Sequence, residues 1–105
     1  MSTTIHTKED LLRSLRAHSG EFCALGVKRI GLFGSFARGE ADEDSDVDVI
    51  VEFCPGCKSF DNFIRTAFLL EDLLDRRVEL LTRESLSPYI APHVLCEVEY
   101  VDLPC

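Results

Sequence analysis

What the chain lacks narrows its class first. Although 46% of its 105 residues are hydrophobic, no apolar run is long enough to span a bilayer, so a membrane protein is not expected. The opening Met1-Ser2-Thr3-Thr4-Ile5-His6 has neither the basic flank nor the apolar core of a signal peptide, and the expected compartment is the cytoplasm. Positive charge is scarce: 11 Lys and Arg stand against 19 Asp and Glu, a formal net charge of −8. Grip on a nucleic-acid polymer depends on many basic side chains set against phosphates, so none is expected here. A single nucleotide whose charge is masked by a metal remains compatible with this balance, as do a basic protein partner and a homo-oligomer. Internal repeats, low-complexity segments and a second domain are also missing, and the length suits one domain over residues 1–105.

An even cysteine set is absent too. Five cysteines (Cys23, Cys54, Cys57, Cys96, Cys105) without an export signal argue against a secreted disulfide framework. Cys54-Pro55-Gly56-Cys57 has the spacing of a zinc or redox site, with His93 and Cys96 as conceivable further ligands. Pro-Gly is a turn signal in its own right and the pairs lie far apart, so a turn carrying two ordinary thiols is the better reading.

What is present reads as alternating helices and strands. Thr7 to His18 predicts a helix opened by a Thr7/Asp10 capping pair, striped by Leu11, Leu12 and Leu15, and ended by Ser19-Gly20. Val27 to Phe33 predicts a strand. Gly31 inside it marks a close approach by another backbone or a ligand. Phe60 to Asp75 carries Phe60, Phe63, Ala67, Leu70 and Leu74 at helical spacing, with Ile64, Phe68, Leu69 and Leu73 widening the stripe, and is expected to be well buried. Val78 to Thr82 predicts a third strand with Glu79 and Leu81 on one face. Ser87-Pro88 predicts a helix start, Pro92 a kink or shortening, and Val98 to Leu103 an extended end.

The chemistry concentrates in Ile30 to Phe53. Gly34-Ser35 closes an apolar strand and opens a short helix, where free backbone N–H groups can hold phosphate oxygens. The acidic loop Ala41 to Ser45 leads into a strand from Asp46 to Phe53, in which Val47, Val49, Val51 and Phe53 share one face and Asp46, Asp48, Ile50 and Glu52 the other. Asp46 and Asp48, roughly 6 to 7 Å apart along the strand, can reach one hard cation or a close pair of cations. Aspartate is depleted in strands, so two in register weaken the alternative of two solvated carboxylates. Arg38 is a candidate for a further phosphate contact, although an ion pair with Asp42 or Glu43 is the plainer reading. Glu79 becomes a third carboxylate only if its strand adjoins the aspartate strand in suitable register; exposure on an edge strand or pairing with Arg77 is the commoner fate.

Laid out together, Gly34-Ser35, the ten-residue gap, Asp46-x-Asp48 and Glu79 resemble the minimal nucleotidyltransferases of the DNA polymerase beta superfamily, and more narrowly the MNT antitoxins paired with HEPN-type toxins. The resemblance runs from about Ile5 to Asp102. It implies an α/β (α+β) nucleotidyltransferase fold, a small mixed β-sheet flanked by helices. It also implies Mg²⁺ held by Asp46, Asp48 and Glu79, phosphates at Gly34 and Ser35, and ATP as nucleotide donor. The third carboxylate position usually holds Asp in that family; Glu79 is one methylene longer. The implied activity is transfer of AMP from Mg·ATP to a hydroxyl, in the leading case a tyrosine, of a cognate HEPN toxin. The alternative is a catalytically degenerate binding module that neutralises its toxin by occlusion. Transfer to a small molecule ranks third, because no substrate-binding domain follows the core.

Overall fold

The computed structural model describes residues 8–40, 42 and 45–103, with Asp102 described by its backbone alone. Leu11, Leu12 and Leu15 recur at helical spacing and are buried, which orients helix α1 (Lys8–Ala17). The expected Thr7/Asp10 cap depends on Thr7, which lies outside the described residues. Ser19-Gly20 does not end the helical run. After a turn at His18 the chain re-enters a short helix, α2 (Ser19–Ala24), because Phe22 is drawn fully into the core and the burial of one large aromatic outweighs the poor helix propensity of Gly20.

Strand β1 (Val27–Phe33) follows, then a single-turn helix α3 (Ser35–Arg38) and strand β2 (Val47–Phe53). Helix α4 (Phe60–Leu74) begins at Ser59, whose hydroxyl accepts from the Asn62 N–H, and ends at Asp75 in the left-handed conformation. Strand β3 (Val78–Thr82), a 3₁₀ turn (Arg83–Ser85), helix α5 (Ala91–Glu97) and strand β4 (Glu99–Asp102) complete the order. Pro92 falls in the first turn of α5, where its missing N–H costs nothing. The helix is thus shortened to begin at Ala91, and a turn occupies the stretch from Ser87.

The sheet order is β3-β2-β1-β4. β1 pairs antiparallel with both β2 and β4, whereas β2 and β3 run parallel, as required when a helix, here α4, carries the chain back across the sheet. The expected small mixed sheet flanked by helices is therefore the observed one. Its core face joins Ile30, Leu32, Val47, Val49, Val51 and Val101 to Leu11 and Leu15 of α1, Phe22 of α2, and Leu70 and Leu74 of α4. On the other face Ile50 is also fully buried, outside that main cluster.

Two expectations about apolar residues change. The space a Gly31 side chain would fill is taken by Ile50, Val98 and Tyr100, so the glycine admits neighbouring side chains and not a ligand. Helix α4 is buried at Thr66, Leu70 and Leu74, yet Phe60 and Phe68 are 81% and 66% exposed. The single sheet beneath α4 covers one stripe of a helix, and the widened stripe exceeds it. The Cys54–Cys57 stretch is a turn, with the Cys57 N–H donating to the Cys54 carbonyl at 2.9 Å; Cys54, Cys57 and Cys96 are free thiols, while Cys23 is disulfide-bonded.

A Cβ at residue 31 would stand 2.6 Å from both Ile50 Cγ2 and Val98 Cγ2. Gly31→Val is therefore expected to cost about 1 to 3 kcal/mol by overpacking, read as a lower urea midpoint with an unchanged slope.

Candidate active site

The candidate site lies where three strand ends meet. β1 delivers Gly34, the start of β2 delivers Asp46 and Asp48, and the start of β3 delivers Glu79. Because β2 and β3 are parallel with Asp48 opposite Glu79, both carboxylates emerge on the same side of the sheet and at the same level. That register settles the adjacency the sequence left open: Glu79 is the direct cross-strand neighbour of Asp48 and acts on its charge. Asp46 stands one residue before β2, exposed, and close enough to act on the charge of Asp48.

Gly34 faces this cluster. Its φ of 76° and ψ of −150° belong to a region that glycine alone adopts readily, and a Cβ here would collide with Asp48 Oδ2. The turn therefore lies against the carboxylate because residue 34 has no side chain. Ser35 follows, half-buried, at the start of α3. Arg38 closes that helix, and its guanidinium pairs with Glu40 at 3.0 Å and with Glu97 at 3.3 Å; of the two partners expected from the sequence, Glu43 lies outside the described residues.

Glu97 was not singled out in the sequence. It sits at the end of α5, far along the chain, and reaches the site because β4, just beyond it, pairs with β1; its Oε1 accepts from the Gly34 N–H at 3.2 Å. No local motif marks such a residue. Nor does a local motif mark the role of Arg76. It donates from Nη1 to the carbonyls of Asp42 at 2.9 Å and Ser45 at 3.0 Å and stacks on Phe36, tying the segment before Asp46 to the body of the fold.

The electrostatics follow from this crowding. Partial burial, then the neighbouring charge of Glu79 and the hydrogen bond to it, push the Asp48 carboxyl up to about 6, with Asp46 adding to the rise and Arg38 opposing it. Three carboxylates beside a backbone N–H turn form an oxygen donor set suited to a hard divalent cation, which would relieve their mutual repulsion. Among the described residues no three His, Cys, Asp or Glu side chains are closed around a common metal point. The residues fit Mg²⁺ by chemistry, as Asp48 and Glu79 in contact with Asp46 alongside.

A mixed sheet with a Gly-Ser turn on one strand end, facing carboxylates on the next two strands, is the architecture of a nucleotide-handling transferase. The chain belongs to the nucleotidyltransferase-domain family, whose profile matches residues 15–101. It is 47% identical over 96 residues to the protein adenylyltransferase MntA of Thermococcus cleftensis, covering 90% of this chain and 96% of that one. Its structure superposes on a solved chain assigned as a minimal nucleotidyltransferase with a TM-score of 0.75 and 37% identity, covering 92% of this chain and 98% of the other. It shares the fold, at 20% identity and a TM-score of 0.52, with a chain from the complex of tri-AMPylated Shewanella oneidensis HEPN toxin and MNT antitoxin; 80% of this chain and 68% of that one are covered. No helix among the described residues is long and apolar enough to cross a membrane.

A carboxyl whose folded pKa is raised binds its proton more tightly in the folded chain. The penalty from Asp48 is thus absent below about pH 4 and grows as pH rises through about 6. In metal-free protein Asp48→Asn is expected to raise stability at pH 7 by on the order of 1 kcal/mol, allowing for solvent screening of a half-exposed group, and to bring no gain at pH 4. Urea unfolding of both proteins in a chelator at the two pH values measures this.

Proposed function

We propose that the chain is a protein adenylyltransferase acting as an antitoxin: it moves AMP from Mg·ATP to a hydroxyl, in the leading case a tyrosine, of a cognate HEPN-type toxin. The observation that carries the reading is the parallel register setting Glu79 beside Asp48, opposite the Gly34 turn. The identity to a protein adenylyltransferase over nine-tenths of the chain supplies the reaction class and the kind of acceptor. The described elements share one sheet and one main core, which supports reading residues 1–105 as one minimal nucleotidyltransferase domain. On this reading the acceptor is another protein, as the name of the protein adenylyltransferase relative suggests, and the compartment is the cytoplasm.

Each residue then has a part. Gly34 offers its N–H, Ser35 its hydroxyl and Arg38 its guanidinium to phosphate oxygens of ATP. Asp46, Asp48 and Glu79 would hold Mg²⁺, which when bound neutralises phosphate charge and stabilises the charge that develops at the α-phosphorus. The acceptor oxygen attacks that phosphorus in line, the bond from phosphorus to the bridging oxygen of the β-phosphate breaks, and pyrophosphate leaves. The hydroxyl proton passes to a carboxylate of the Asp48–Glu79 pair, which stand opposite one another on the two parallel strands. Glu79, one methylene longer than the aspartate usual in the family, reaches Asp48 in this register and so completes the carboxylate set.

Incubation of the chain with labelled ATP, Mg²⁺ and the folded product of the adjacent gene is expected to label that partner and to release pyrophosphate. Chelation should abolish transfer, and Asp46→Asn or Asp48→Asn should lower it at least about a hundred-fold. Glu79→Gln should fall with them, whereas Glu79→Asp should retain measurable transfer. No label on a verified folded partner sinks the enzymatic reading. Toxin neutralisation in cells by an Asp46→Ala, Asp48→Ala chain would instead point to occlusion.

A further inference from the structure

The anion turn carries a carboxylate of the chain itself. Glu97 Oε1 accepts from the Gly34 N–H at 3.2 Å, and Arg38 Nη1 lies 3.4 Å from Oε1 and 3.3 Å from Oε2. A carboxylate held by a backbone N–H and a guanidinium copies two oxygens of a phosphate group in shape and charge. Glu97 is not placed there by its own helix. A negative charge in the last turn of a helix is disfavoured by the helix dipole, and that turn of α5 has no basic residue to offset it. Nor does α5 hold the side chain by packing: the helix buries none of its residues and has no side-chain cap, although β4 beyond it is fixed by pairing with β1 and by the Lys8–Glu99 ion pair at 2.8 Å. With the side chain one-third exposed, its release needs no disturbance of the core.

We infer that Glu97 is a phosphate placeholder: it occupies the Gly34–Arg38 anion site in the nucleotide-free chain and is displaced when the triphosphate of the donor binds. The inference rests on the reading of Gly34 and Arg38 as phosphate contacts. It makes Glu97 a determinant of donor affinity, setting a threshold below which the site stays closed to phosphates. It also couples donor binding to the end of α5. While in place, Glu97 neutralises Arg38 and keeps the Gly34 N–H satisfied beside three other carboxylates. Once displaced it leaves both groups to the phosphates.

The test is Mg·ATP binding without acceptor, by calorimetry, together with the Gly34 amide resonance in ¹⁵N spectra. Glu97→Ala and Glu97→Gln are expected to bind Mg·ATP about three- to thirty-fold more tightly than the wild type, since a competing charge-assisted contact is lost. Glu97→Gln keeps the shape and hydrogen-bonding capacity of the side chain, and a native-like spectrum shows that either variant is folded. In the free proteins the Gly34 amide should differ between wild type and Glu97→Ala; at saturating Mg·ATP the two should coincide, because Glu97 has left. Magnesium tripolyphosphate should bring about the same convergence. Equal or weaker binding by both variants, or Gly34 amides that still differ when saturated, overturns the placeholder while leaving a nucleotide site. Absence of Mg·ATP binding, or binding indifferent to both Arg38→Ala and Asp46→Asn, overturns the nucleotide reading and the placeholder with it.

Discussion

The site depends on a single crowded contact: an Asp48 oxygen lies in the space that any side chain at residue 34 would claim, while Glu79 presses on the same carboxylate from the next strand. Three requirements follow. Residue 34 must be glycine, both for space and for its φ of 76°. β2 and β3 must run parallel in the observed register, since a slip of one residue would turn Glu79 to the opposite face. The negative charge must also find a positive counterpart, which the described residues around Asp48 supply only in part, through Arg38.

The sheet separates stability from chemistry by its two faces. Val47, Val49 and Val51 tie β2 into the main core, and the same alternation points Asp48 and Glu52 away from it. Glu52 shows how a carboxylate on that side is settled when no ligand is needed: it pairs with Arg29 at 2.8 Å, and Arg29 in turn stacks over Tyr100 at 4.0 Å. Asp48, four residues earlier on the same face, has a second carboxylate beside it instead. Like charge in place of a salt bridge is a poor choice for stability and an apt one for binding a cation, so the unfavourable contact marks the functional end of the strand.

Much of this was legible along the chain. The strand alternation in 47–53, the Gly34-Ser35 turn and the spacing to Asp46-x-Asp48 are local patterns, and local patterns survive folding. The misreadings came where tertiary packing outweighed local signals. Ser19-Gly20 reads as a stop, but burial of Phe22 draws the chain back into a helix. Phe60 and Phe68 read as core by periodicity, yet the sheet beneath α4 covers only one stripe of it. Gly31 reads as a close approach by another backbone or a ligand, and the space beside it is filled by the side chains of Ile50, Val98 and Tyr100.

The donor atoms and their chemistry were settled by the residues themselves. A glycine-serine turn and paired aspartates carry their preferences for phosphate and hard cations wherever they are placed, because those preferences are set by backbone freedom and by charge. Which groups stand together was settled only in three dimensions. Pairing of β3 with β2 joins Glu79 to Asp48, and pairing of β4 with β1 brings Glu97, sixty-three residues beyond Gly34, to that glycine's N–H. Strand pairing is long-range and depends on the whole core closing, so nothing near Glu79 or Glu97 in the chain could announce the neighbour it would acquire.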